Sequence, residues 1–145
     1  MKLLTTIVLV CLATLPLDWK LNFTEAKAQA DADHKMILLN FSGSDWCGPC
    51  IKLKKEVFES AAFEEYASKN LVLVRADFPR QKKNQLDKAQ VEKNEMLAEK
   101  YNPKGLFPLT VLIDSRGNIV KEWEGFQPST ETFIADISKH SAAKN

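Results

Sequence analysis

A strand-length apolar run, Met36 to Phe41, leads into Trp46-Cys47-Gly48-Pro49-Cys50 and then into helical spacing from Ile51 to Phe58. No other feature constrains the fold as much. A buried strand must hand the chain to a helix start, with two cysteines at the junction, which is an arrangement for thiol and disulfide chemistry. At that helix start, N–H groups without helical partners and the positive end of the macrodipole favour a thiolate at Cys47, the expected nucleophile. Pro49 suits the first turn because its missing N–H would have had no partner there, and Gly48 lets a partner chain approach closely. Cys50, one turn further in, is expected to be more buried and to resolve a mixed disulfide.

Trp46-Cys47-Gly48-Pro49-Cys50 resembles the active-site signature of the thioredoxin family, and Phe107-Pro108-Leu109-Thr110 resembles that family's cis-proline loop. Residues 40–47 together with Asp77-Phe78-Pro79-Arg80 resemble, more narrowly, the exported thioredoxin-like proteins of bacteria. The likeness runs from Trp19 to His140, and two motifs in the family's order make it specific.

A chain of 145 residues with 45% apolar and 27% charged residues has the size for one globular domain with one core. Its 20 Lys and Arg against 19 Asp and Glu create no overall field toward nucleic acid or an anionic membrane, so neither is expected as a partner. Lys2 followed by Leu3 to Leu15, interrupted by Thr5, Thr6 and Thr14 and ended by Pro16, is shorter than the roughly 20 apolar residues that span a bilayer. It reads as an export signal over residues 1–16, with residues 17–145 as a thioredoxin-like domain and the periplasm as destination. Cleavage near Cys11-Leu12-Ala13 or at Ala26-Lys27-Ala28 fits the small-residue rule; a retained N-terminal anchor is the alternative, and membrane contact is expected only then. Cys11 lacks the small preceding residue that lipid attachment prefers. Cleavage after Cys11 leaves two cysteines, both in the motif. A bridge across so short a loop constrains the unfolded chain little, so the pair is read as chemistry rather than as a staple.

Along the chain, Trp19 to Phe23 reads as an extended lead-in and Thr24 to Ala32 as a short N-terminal helix capped by Thr24. Met36–Phe41, Leu71–Ala76, Leu109–Asp114 and Ile119–Trp123 read as four core strands, the last two joined by a reversal at Asp114-Ser115-Arg116-Gly117-Asn118. Cys50, Leu53 and Val57 mark the buried face of the helix after the motif, Ser60 caps a second helical piece, and Ser129 or Thr130 starts a last helix that buries Phe133, Ile134 and Ile137. The charged stretch Arg80 to Tyr101 is helical in its second half and either loop or exposed helix in its first; it is a solvated insert or a partner surface. The tail after His140 is expected to fray. The resulting fold class is α/β: a three-layer α/β/α sandwich around a central mixed sheet, with an N-terminal helical extension. The resemblance implies strand order 4-3-1-2 for the core strands, with the third antiparallel to the others.

By resemblance, Pro108 is the cis-proline facing the motif, and the N–H and C=O of Phe107 are placed to pair with an extended substrate. Phe107 departs from the small β-branched residue usual there. Trp46, Phe107 and Phe126 are candidates for an apolar rim, and Gly125 either lets a substrate backbone approach or serves an ordinary turn. Where many relatives bury an Asp beneath the inner cysteine, this chain has Asn40, one residue further from the motif; Asn cannot take a proton at neutral pH. Water or Asp45 is left to do so. Arg75, where the family often has Lys, is a second candidate for electrostatic support.

These readings give an exported thiol–disulfide oxidoreductase, reducing protein disulfides because Gly-Pro between the cysteines resembles reducing members, with an upstream thiol partner. An oxidase or isomerase of the same fold is the alternative. A metal-binding module lacks ligands, since His34 and His140 stand far off in sequence, and a non-catalytic binding domain leaves the cysteine pair unexplained. No cofactor or metal is called for; the Cys47–Cys50 disulfide is itself the redox group.

Overall fold

The computed structural model describes residues 16–142. The export signal and Cys11 fall almost wholly outside them. A short strand β1 (Trp19–Lys20) leads to α1 (Phe23–Asp33), then β2 (Met36–Ser42), α2 (Gly48–Leu53), α3 (Ala61–Asn70) and β3 (Leu71–Asp77). After β3 come α4 (Lys88–Tyr101), the hairpin of β4 (Leu109–Ile113) and β5 (Ile119–Glu124), and α5 (Thr130–Ala142), which continues two residues beyond His140.

The sheet runs β1-β3-β2-β4-β5. β2 and β3 are parallel with Met36 opposite Leu71 and Ser42 opposite Asp77, while β4 is antiparallel to both β2 and β5. The four core strands therefore have the expected order, and β1 extends the edge beyond β3.

Alternation along each strand assigns its side chains to two cores. Ile37, Leu39, Phe41, Val72, Val74, Val111 and Ile113 face Ala26 and Ala30 of α1 and Leu97 and Tyr101 of α4. Leu38, Leu73 and Leu112 face Leu53 of α2, Phe63 and Ala67 of α3, and Phe133 and Ile137 of α5. With apolar residues pointing both ways, β2 can only be a central strand covered on both sides. This is the α/β/α sandwich.

The structure differs from the sequence expectation at two local points. Asn22, rather than Thr24, caps α1: its Oδ1 accepts the N–H groups of Thr24 and Glu25. Both residue types can cap, and the end of β1 decides which one lies at the helix start. Beyond α2 the chain makes a π-helical turn, Lys54–Phe58, closed by the Glu59 N–H on the Lys54 carbonyl at 2.9 Å. The wider step turns Phe58 inward as well as Val57, and the Phe58 ring packs 4.9 Å from Trp19 and 5.1 Å from Phe63. Ser60 caps α3 as expected, accepting the Phe63 N–H, a contact worth about 1 kcal/mol.

Candidate active site

β2 ends at Ser42, and a turn closed by the Cys47 N–H on the Gly43 carbonyl at 2.9 Å delivers the chain to α2. Cys47 is the N-cap residue, and Gly48 and Pro49 form the exposed first positions of the helix. Cys47 and Cys50 are joined as a disulfide with their Cα atoms 5.2 Å apart. The Cys47 Sγ accepts the Cys50 N–H at 3.2 Å, and the Cys50 Sγ accepts the Gly43 N–H at 3.5 Å. Both sulfurs thus face N–H donors, a setting that favours a thiolate on reduction.

The expected contrast in access is small in this disulfide state: Cys47 is 5% exposed and Cys50 3%.

Phe107 and Pro108 are joined by a cis peptide, and the Pro108 carbonyl accepts the Gly125 N–H at 2.9 Å. Gly125, at φ +72°, has open space where a Cβ would stand. Neither backbone polar group of Phe107 takes a hydrogen bond among the described residues. The Phe107 ring meets Trp46 edge-on at 5.4 Å. Phe126 does not join this pair; it packs with the opposite core, under the Lys52 ammonium at 4.4 Å. Phe78 takes the third place, 5.5 Å from Phe107, and its carbonyl accepts the Trp46 Nε1–H at 2.7 Å.

The segment after β3 grips the motif loop. Asp77 accepts the Ser44 N–H at 3.0 Å and the Ser44 hydroxyl. Asp45 accepts the N–H groups of Arg80 and Gln81, at 2.9 and 3.0 Å, and the Asn84 amide at 2.9 Å. The Arg80 N–H first, then the Asn84 and Gln81 donors, hold the Asp45 carboxyl below its ordinary pKa. In this disulfide state the hydrogen bonds that the carboxylate accepts come from this loop, and none comes from Cys50. The Arg80 guanidinium lies over the Trp46 ring at 3.7 Å. Reading the sequence does not single out Ser44, Asp77, Phe78 or Arg80 as site residues. The signal is the pairing of two strands that end together: with Ser42 opposite Asp77, the loops leaving β2 and β3 are forced into contact.

Beneath α2 a polar row crosses the sheet in register, Arg75 beside Asn40 and Asn40 beside Thr110. Asn40 is buried, and its amide donates to Thr110 Oγ1 at 3.2 Å and to the Leu109 carbonyl at 3.4 Å. Arg75 stacks 4.2 Å from the Trp19 ring, its Nε buried without a hydrogen-bond partner among the described residues. Burial lowers its pKa, against the opposing pull of Asp77 and Glu59. Among the described residues, no three His, Cys, Asp or Glu side chains are grouped to hold a metal.

A sequence model of the thioredoxin-like domain matches residues 23–139. The chain belongs to the thioredoxin-like family. It is 38% identical over 117 residues to the disulfide bond reductase DsbH of Chlamydia pneumoniae, covering 81% of this chain and 68% of that protein. A 60-residue stretch is 38% identical to the thioredoxin-related protein DsbJ of the same organism, of which it spans 17%. Among solved structures, a DsbH oxidoreductase superposes with a TM-score of 0.80 at 31% identity, covering 98% of this chain and 94% of that one. A thioredoxin from Thermus thermophilus superposes at 0.63 with 19% identity, covering 86% of this chain and 87% of that one, a likeness of fold. This thioredoxin-like protein is a thiol–disulfide oxidoreductase.

Proposed function

We propose that the protein is an exported reductase of protein disulfides in which Cys47 attacks and Cys50 resolves. The observation that carries this reading is the Cys47 sulfur at the helix N-cap, accepting the Cys50 N–H, with its partner sulfur three residues behind. In the reduced protein the Cys47 thiolate attacks one sulfur of a target disulfide, forming a mixed disulfide and expelling the other target sulfur as a thiolate that takes a proton. Cys50, having lost its proton, then attacks the Cys47 sulfur. The internal disulfide re-forms and the second target sulfur leaves, so two electrons and two protons pass to the target. An upstream thiol donor must reduce the pair again.

Substrate is held, in this reading, as an added strand against the N–H and C=O of Phe107, beside Pro108, with Gly125 leaving room for its backbone and Trp46, Phe107 and Phe78 as apolar contacts. Gly48 and Pro49 present the exposed approach to Cys47. The reducing direction draws on the name of the similar DsbH protein and on Gly-Pro between the cysteines. Export draws on the apolar segment 3–15, with residues 1–16 as signal and 17–145 as the working domain in the periplasm; a retained segment would tether it to the membrane. No helix among the described residues is long and apolar enough to cross one. The redox group is the cysteine pair itself, without a cofactor.

The test is trapping. Cys50→Ser should accumulate mixed disulfides through Cys47 in the exported fraction, and Cys47→Ser should not. Equal trapping by both variants, or cytoplasmic recovery of the protein, would overturn the assignment.

A further inference from the structure

The loop after β3 carries Arg80, Lys82 and Lys83, all exposed, and none lies within ion-pair distance of a carboxylate among the described residues. It is a fixed loop. Asp45 holds the backbone at Arg80 and Gln81 and the side chain of Asn84, and Lys82–Asn84 form a 3-10 turn. Its leading residue places a guanidinium 3.7 Å from the ring of Trp46, the residue before Cys47, whose ring also meets Phe107. The carboxylates beside them take hydrogen bonds from the loops: Asp45 from the N–H groups of Arg80 and Gln81, Asp77 from Ser44, and the exposed Asp87 at the loop's end from the Gln90 N–H. Glu124 ends β5, with β2 and β4 between it and β3. Arg80, Lys82 and Lys83 are thus three exposed cations on one loop, none of them ion-paired among the described residues.

We propose that Arg80, with Lys82 and Lys83, is a specificity element that selects target disulfides flanked by acidic residues. This rests on the reading of Cys47 as the attacking sulfur and names the substrate class that site prefers. Packing alone would account for one arginine stacked on an indole. It would not account for a loop tied to Asp45 at three points that holds this exposed arginine beside the attacking cysteine's neighbour and carries two more exposed, unpaired lysines. Complementary charge at the rim of a docking site raises the encounter rate and orients the partner more than it deepens the complex. The effect should thus appear in kcat/KM and be sensitive to salt.

The experiment uses the purified protein, reduced by dithiothreitol, on three disulfide-linked peptides that differ only in Glu, Gln or Lys beside the cysteines. The expected order of kcat/KM is Glu, then Gln, then Lys, and it should collapse near 1 M salt, where the screening length is about 3 Å. Arg80→Met should cut the ratio of the Glu to the Lys peptide by about threefold to fivefold, the worth of one exposed ion pair. Arg80→Lys should restore part of it. Equal rates on the three peptides, or an Arg80→Met loss in the same proportion on each, would overturn the inference while leaving the oxidoreductase intact. Failure to reduce any of them would instead overturn the reductase reading, and this proposal with it.

Discussion

The Trp46 ring lies so close to Gly43 that a Cβ built on the glycine would fall 2.3 Å from Cε2 and 2.5 Å from Cζ2. Glycine is needed here for space, because the indole covers the turn between β2 and α2 while donating to the Phe78 carbonyl. Gly43→Ala should push the ring out and break that hydrogen bond together with the Arg80 stack. The cost is that of overpacking, about 1–3 kcal/mol. A lowered urea midpoint and a reduced rate of disulfide reduction would bear this out, and a wild-type midpoint would show that the ring moves freely.

Asp45 ties the same turn to the loop after β3, and its pKa lies below the ordinary 3.8 because the Arg80 N–H, the Asn84 amide and the Gln81 N–H favour the charged form. For an acid whose folded pKa is depressed, the stabilisation is present at all pH values above the unfolded pKa and is lost as pH falls through the folded one. The clamp should therefore hold from neutrality to below pH 3.8 and open only under stronger acid. The Arg80 and Gln81 amide proton shifts should titrate in that acid range in the native protein. In Asp45→Asn, whose amide oxygen is a neutral and weaker acceptor, they should be shifted from their native values already at neutral pH and show no such titration.

Local patterns carry the strands and the motif, because burial of Met36–Ser42 on both faces and the placing of Cys47 at a helix start each depend on neighbouring residues. The order of the core strands is implied by family likeness and agrees with the register found. The clamp is not legible in the same way. Ser44 meets Asp77, and Asp45 meets Arg80, only because β2 and β3 pair in parallel and end at the same level, a relation no local window contains. The π-helical turn is hidden too, since one longer hydrogen-bond step leaves the apolar spacing of Leu53 and Val57 intact while burying Phe58.

Asn40 fills a buried position with a neutral amide, donating to Thr110 and to the Leu109 carbonyl. A carboxylate there would lose both donations and face a carbonyl oxygen, so in Asn40→Asp the acid should keep its proton well above the ordinary range. An acid with a raised folded pKa carries no penalty below its unfolded pKa. The penalty grows as pH rises toward the folded value, by about 1.4 kcal/mol per unit of the rise. Asn40→Asp should match the native protein near pH 3 and fall below it by about 2–4 kcal/mol at pH 7. Chemical denaturation at both pH values reads this directly, and a constant difference would mean that the new acid ionises normally.

Arg75 offers the sharpest separation of packing from charge. Its guanidinium lies against Trp19 at 4.2 Å and within 6.0 Å of Phe58, yet its Nε–H has no acceptor among the described residues, and burial lowers its pKa. Methionine spans a similar length, keeps the contact with both rings and has no donor to leave unmet. Losing the cation–π contact costs about 0.5–1 kcal/mol, while removing an unsatisfied buried donor returns about 1–3 kcal/mol. Arg75→Met should therefore be neutral or more stable by about 1 kcal/mol, whereas Arg75→Ala, which also strips the packing from the Trp19 ring, should be less stable. If the cation supports the thiolate across the polar row, the Cys47 thiol in Arg75→Met should titrate higher than in the native protein. An unchanged thiol pKa beside the gain in stability would assign Arg75 to packing alone.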